Sequence, residues 1–231
     1  MRSIRLYRTY VQSLNTMNCM GNREALLLGA KRCLLEKGYA RTTARDIAAA
    51  ADVSLAAIGY HFSSKEALLT EALMLAIADW DMELRRALNT AIRADADPVE
   101  RFEAIWARLI ESFETHRSLW VANFELFAQM DRLPEIRRIL GDSLQQARFG
   151  LAALFLDKEE SAIDKQTART AGAFYHALLS GLISQFLIDP EHALSAGDLT
   201  EALRTTAVLM LPGRKASRTE PKRMQKKLKR R

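Results

Sequence analysis

Cysteine is almost missing from this sequence. Only Cys19 and Cys33 occur in 231 residues, and they show no paired spacing. That argues against a disulfide framework or a zinc knuckle and fits a reducing cytoplasm. Histidine is equally thin: His61, His116, His176 and His192 are scattered, and no Cys, Asp or Glu cluster has metal-ligand spacing. Neither a glycine-rich phosphate loop nor a nucleophile elbow is present. The expectation is a protein without metal, cofactor or catalysis. Long apolar runs are short as well: none reaches the about 18 residues needed to cross a bilayer, so no membrane is expected as a partner. The first twenty residues carry arginines but no continuous apolar stretch and no small-residue cleavage site, so they do not read as a signal peptide. Met17 or Met20 is an alternative start of translation, which the mass of the native N-terminus would decide.

What is present is basic, but unevenly so. The net charge is +6, and residues 214–231 alone, with ten Lys or Arg and one Glu, carry +9. Residues 76–213 sum to −7, while 1–20 carry +3 and 21–75 carry +1. The high isoelectric point therefore comes from the tail and says little about the rest of the chain. The tail is highly charged and nearly free of apolar residues, the composition of a disordered segment. It is either plainly solvated or a non-specific DNA anchor. In the second case deleting 214–231 would flatten the salt dependence of binding.

Strand signals are nearly absent, since Val and Ile are scattered and Ala and Leu dominate. The expectation is all-α. Helix starts come from capping chemistry: Thr43–Asp46, Ser63–Glu66, Asp97–Glu100 and Asp198–Glu201 each put an acceptor three residues before an acid. Pro98 and Pro134 suit first helical positions, and Gly38 suits a left-handed helix end. The helices inferred are 22–37, 43–50, 54–60, 64–92, 98–115, 118–130, 134–156, 161–188 and 198–211. The domains inferred are a flexible extension (1–20), a DNA-binding head (21–75), a helical ligand-binding and dimerisation domain (76–212) and a basic disordered tail (213–231).

The informative stretch is 38–69. Thr43 caps a helix of two turns whose buried face is Ile47 and Ala48. Ala51, Asp52 and Val53 make a three-residue turn, and Ser54 is expected to cap a second short helix. Small residues at 48, 49 and 50 allow two helices to cross closely. This is the sequence form of a helix-turn-helix, whose second helix enters a major groove.

The stretch resembles the tetracycline-repressor (TetR) family of regulators. The resemblance rests on Gly38-Tyr39, Thr42-Thr43, Asp46-Ile47-Ala48, Ala51-Asp52-Val53-Ser54, Ile58, Tyr60-His61-Phe62 and Ser64-Lys65-Glu66-Ala67-Leu68, within residues 22–75. It implies phosphate contacts from Thr42 and Thr43, base-edge contacts from Ser54, Leu55, Ala56 and Ala57, and a backbone clamp from Tyr60, His61 and Lys65. Gly59 stands where relatives often carry a bulkier or polar residue. Arg45 supplies a guanidinium for guanine or phosphate. Leu55, Ala56 and Ala57 cannot make bidentate hydrogen bonds but can touch thymine methyls. Each role has a plainer alternative: His61 as a structural histidine, Lys65 as a solvated lysine, Arg41 as a surface charge. Phe62 is read as core.

Residues 98–190 are rich in aromatics. Any one of them is more often core than ligand wall, but together they suggest an apolar cavity with a few polar groups (Asn123, Gln129, Gln145, Tyr175, His176). The candidate ligand-lining set is Trp106, Phe113, Trp120, Phe124, Phe127, Tyr175 and His176, for an unidentified small, largely apolar effector. Small residues along 166–188 and the amphipathic 198–211 stretch suggest close helix pairing. By the resemblance they form a homodimer through Ala168, Gly172, Gly181, Leu199 and Leu203. A two-fold dimer would match double-stranded DNA with a palindromic operator. The function expected is a ligand-released transcriptional repressor. The rivals are an enzyme, and a helical binding protein that has lost DNA binding.

Overall fold

A computed structural model describes residues 21–93, 95–131 and 134–210. The expectations for 1–20, including Cys19, and for the basic tail lie outside the described residues. No strand occurs among the described residues, and the chain is all-α. The helices are α1 (Asn22–Lys37), α2 (Ala44–Ala51), α3 (Ala56–His61), α4 (Lys65–Ala91), α5 (Pro98–Thr115), α6 (Arg117–Phe127), α7 (Pro134–Leu156), α8 (Lys165–Ile188) and α9 (Ala196–Met210). A 3-10 turn, Glu160–Ala162, precedes α8, and Ala168–Gly172 within α8 is wound as a π-helix.

Local chemistry sets most helix starts. Thr43 and Asp97 each form a complete capping box, with Asp46 and Glu100 respectively. Two caps fall elsewhere than expected. At α4 the cap is Ser64, whose hydroxyl accepts from the Ala67 N–H at 3.0 Å; Ser63 is spent on the extended link from α3. At α9 the box is Ser195 with Asp198, so the helix opens earlier than its acid pair Asp198–Glu201 suggested. At α3 the Ser54 side chain caps nothing; its carbonyl instead accepts from the Ala57 N–H.

The link between α2 and α3 is a Schellman turn. Asp52 is left-handed (φ 55°, ψ 43°), its N–H donates to the Ala49 carbonyl, and the Val53 N–H donates to that of Ala48. Gly29 of α1 lets α2 in close, since a Cβ there would sit 3.1 Å from the Ala51 Cβ.

One continuous core joins the head to the rest. Leu26, Leu34, Ile47, Ile58 and Phe62 pack with Leu68, Leu69 and Leu73 of α4, and the same cluster continues to Trp80, Trp106, Phe113 and Leu182. Thus α4 runs unbroken past residue 75, where the sequence reading divides the chain. Burying each such side chain contributes roughly 1.5–3 kcal/mol. One helix departs from the sequence reading: Lys165–Ile188 has the length and mean hydropathy (1.4) of a membrane span. Only part of it is buried, through Ala168, Gly172, Leu179, Leu182 and Ile183.

Candidate functional site

The helix-turn-helix separates its residues by face. Ile47, Ala48, Ile58 and Phe62 are buried. Thr43, Arg45, Ser54, Leu55, Ala56, Gly59 and Tyr60 are exposed, with Tyr60 at 85 %. Ala57 and His61 are half-buried, and the His61 ring meets that of Tyr60 edge-on at 4.8 Å. A Cβ at Gly59 would meet nothing within 4 Å, so the surface there is open. Large, wet aromatic and aliphatic groups on a short helix are costly unless something covers them, and a groove with thymine methyls and sugars would do so.

Thr42 departs from this surface. It is buried at 1 % exposure, and its hydroxyl lies 2.7 Å from the Gly38 carbonyl and 3.1 Å from that of Cys33. The expected phosphate ligand is instead an internal brace, because the turn from α1 needs a donor there more than the surface does. Its own carbonyl accepts from the Lys65 ammonium at 3.3 Å, which also sits 3.4 Å from Glu66. Lys65 is thereby held at the edge of the exposed surface.

Several braces were not legible in the sequence. Arg32 of α1 donates to the Ala50 carbonyl at the end of α2. The Arg41 guanidinium donates to the Lys37 carbonyl at 2.8 Å, which ties it to the end of α1. Arg23 lies over the Phe62 ring at 4.8 Å. Lys37 donates to Asp46 at 2.6 Å across the α1–α2 turn. Most telling, Glu125 of α6 accepts from the backbone N–H groups of Tyr39 (2.6 Å) and Ala40 (3.2 Å).

Asp46 gives a pH prediction. The Lys37 ammonium first, then the Thr43 hydroxyl and N–H, hold its carboxyl far below the usual carboxylate range. A lowered folded-state pKa contributes stability above the unfolded value of about 3.9, and that contribution disappears as pH falls below it. The stability advantage of the wild type over Asp46→Ala should therefore be full at neutral pH and shrink in strong acid. Urea titrations between neutral pH and about pH 3 would measure it; an advantage that grows on acidification would contradict the assignment.

The expected ligand wall is spread over α5, α6 and α8. Trp106, Phe113 and Trp120 are buried, while Phe124, Phe127, Tyr175 and His176 are half-buried. They fall into separate groups. Trp106 packs on Phe155, which stacks on Tyr175 at 4.0 Å. Phe113 packs against Trp120 and Phe186, and Trp120 meets Trp80 edge-on at 4.7 Å. Phe124 pairs with Phe127 at 5.8 Å. The indole N–H groups of Trp106 and Trp120 are buried and find no acceptor among the described residues. Burial, then the nearby Arg148, push the His176 imidazole below its ordinary pKa. The openings among the described residues include a cleft of about 190 Å³ between α1, α4 and α6, holding Lys31, Asp79 and His116, and a groove of about 290 Å³ formed by Val121, Phe124, Glu125, Ser184, Leu187 and Ile188.

The expected dimer residues also divide. Ala168, Gly172 and Leu199 are buried within the chain. A Cβ on Gly172 would lie 2.1 Å from the Arg148 carbonyl oxygen, so this glycine serves the contact of α8 with α7. Leu203 is half-buried and Gly181 exposed. Gly181 belongs to an exposed stripe with Phe174, Ala177, Gln185 and Ile188, spaced three or four residues apart on one face of α8. Val208, Leu209 and Met210 are exposed at the end of α9.

Comparison with known proteins gives two matches, one in each half of the chain. Residues 26–72 match the bacterial regulatory proteins of the tetR family. Residues 97–212 match the tetracyclin repressor-like C-terminal domain. The HTH-type transcriptional repressor KstR2 of Mycobacterium tuberculosis is 28% identical over 138 residues, which is 60% of this chain and 67% of that one. A transcriptional regulator of Streptomyces coelicolor has the same fold, with TM-score 0.56 and 26% identity over 80% of this chain and 96% of its own. The multidrug binding protein EbrR, complexed with proflavin, superposes with TM-score 0.56 at 24% identity, covering 80% of this chain and 99% of that one.

Proposed function

Given that the chain belongs to the TetR family of DNA-binding regulators, we propose that it is a cytoplasmic homodimeric repressor, released from a palindromic operator by a small, largely apolar ligand. The observation that carries the DNA-binding part is the single exposed surface around α3, on which Thr43, Arg45, Leu55, Ala56 and Tyr60 stand together with Lys65 at its edge. The division of work follows from chemistry. Thr43, Tyr60, His61 and Lys65 suit phosphate and sugar, which position the head. Ser54 and Arg45 can reach base edges, while Leu55, Ala56 and Ala57 offer apolar contact. Two-fold pairing would set the two α3 helices about 34–36 Å apart, one turn of DNA.

The repressor reading is supported by the likeness to KstR2, a transcriptional repressor. For the ligand, two features speak. EbrR, of the same fold, is described as binding proflavin. Among the described residues the buried Trp106 indole N–H has no acceptor and lies beside Phe155, which stacks on Tyr175, so a ligand carrying one acceptor and a flat apolar body would satisfy it. Such a ligand would have to separate α5, α7 and α8, and would thereby shift α4. Its effect on DNA binding equals its differential affinity for the two arrangements, typically about 1–3 kcal/mol.

A mobility shift with DNA from the chain's own upstream region tests the reading. Lys65→Ala should weaken binding similarly on all sequences and lower the slope against log salt by about 1. Equal binding and slope in the two proteins would remove Lys65 from the interface. No shift with any fragment selected from a random pool would favour the binding protein without DNA.

A further inference from the structure

We propose that Glu125 is the positioning residue by which the C-terminal half of the chain holds the DNA-binding head in register. The inference rests on the reading of residues 42–65 as the DNA-binding element.

Glu125 lies on α6, and its Oε2 accepts two successive backbone amides, Tyr39 at 2.6 Å and Ala40 at 3.2 Å. Those amides stand 86 and 85 positions away in sequence. The turn is shaped to receive the carboxylate. Gly38 has φ 84° and ψ 168°, a region that is essentially glycine's alone. A Cβ at Gly38 would also lie 3.2 Å and 3.4 Å from the two carboxylate oxygens. The absence of a side chain at 38 is thus what admits the side chain of 125.

From this turn the connection runs to the exposed surface through hydrogen bonds alone. The Gly38 carbonyl accepts from the Thr42 hydroxyl, and the Thr42 carbonyl accepts from the Lys65 ammonium. Thr43, next in the chain, caps α2. One carboxylate therefore sets the turn that places both the start of α2 and the lysine at the edge of the surface. Glu125 is also a wall of the groove that Leu187 and Ile188 of α8 close from the other side, so a displacement of α6 against α8 moves the same side chain. Hydrogen bonds to a charged acceptor are stronger than neutral ones, and removing the acceptor leaves both amides unpaired. Separation of α6 from the 38–40 turn would release both hydrogen bonds and free the turn, while the core along α4 keeps the head attached.

The test compares the full-length wild type with Glu125→Ala and Glu125→Gln. Two readouts are followed: amide exchange in the free protein, and binding to a DNA fragment that the wild type selects from a random pool. In Glu125→Ala the Tyr39 and Ala40 amides should exchange at least about tenfold faster, the scale of a lost charged hydrogen bond. Amides of Leu69 and Leu109 should keep their protection. DNA affinity should fall about fivefold or more, within the range of couplings between distant sites, with the salt slope unchanged because no phosphate contact is lost. Glu125→Gln keeps an acceptor of the same reach and should recover most of both losses. Wild-type exchange at Tyr39 and Ala40, or wild-type DNA affinity, in Glu125→Ala overturns the proposal. So does a loss of protection spread equally over the core, which would make Glu125 a general fold residue. A wild-type chain that selects no DNA at all overturns the underlying reading, and the positioning role with it.

Discussion

Gly172→Ala should leave the chain unable to hold its native packing at moderate temperature. The added methyl would sit 2.1 Å from the Arg148 carbonyl oxygen and 2.7 Å from its carbon. Both are backbone atoms within α7, so no rotamer change relieves the contact. Either α8 withdraws from α7 along their whole seam, or the π-wound stretch Ala168–Gly172 rewinds and turns the rest of α8. Overpacking usually costs about 1–3 kcal/mol; a clash against fixed backbone belongs at or above the top of that range. Against a total stability of about 5–15 kcal/mol, that is a large fraction. Gly141→Ala on α7 is the control, since nothing lies within 4 Å of a Cβ there. It should stabilise by up to about 1 kcal/mol, the ordinary helix preference of Ala over Gly. Urea unfolding of the two variants would measure the contrast, and a Gly172→Ala protein as stable as wild type would mean that α7 and α8 do not meet there.

The double substitution Phe174→Glu with Ile188→Glu should abolish dimerisation while sparing the protomer. The two side chains are 47 % and 81 % exposed and mark the ends of the α8 stripe through Ala177, Gly181 and Gln185. A largely apolar exposed stripe of this length suits a partner, and the small residues at its middle would let a second α8 approach in the proposed dimer. Charges introduced at both ends would face their own copies across a two-fold axis. Because the sites are exposed, stability of the isolated protomer should change by no more than about 0.5 kcal/mol. DNA binding should weaken by about 10²–10⁴, the advantage of two linked heads over one. Light scattering and the mobility shift read the two effects. A variant that remains dimeric would move the interface off this stripe.

Particular residues show how far the sequence could be read. Thr43 with Asp46 and Asp97 with Glu100 are local boxes, decided by a three-residue spacing, and they are found where the spacing puts them. Ser64 and Ser195 were missed because each region offers two candidate caps, and packing of the neighbouring helix selects between them. The buried face of α2 was legible from Ile47 and Ala48, because a two-turn helix has one apolar side. The inward turn of the Thr42 hydroxyl was not, since a threonine next to a capping threonine looks alike from either side. Gly172 and Gly181 are both small residues on one helix, yet one faces Arg148 and the other is exposed. Periodicity finds such residues but cannot tell a contact within the chain from one between chains. The aromatics were legible as a group, though their division into separate stacks depends on distances of 4–6 Å that no pattern encodes. Glu125 was invisible, because its partners are backbone amides and carry no side-chain signature.

The edge-on pair of Trp80 and Trp120 has a spectroscopic consequence. The chain has three tryptophans, and Trp80, Trp106 and Trp120 all lie outside α1, α2 and α3. Tryptophan emission therefore comes entirely from residues beyond α3, in part from the α4–α6 junction. Trp80 and Trp120 stand close enough to exchange excitation energy, and Trp80 alone of the three has its indole N–H bound, to Ser112 at 3.0 Å. Emission would thus report any rearrangement of α4 against α6, and, because Leu35 of α1 lines the same cleft as Trp80, an undocking of α1 as well.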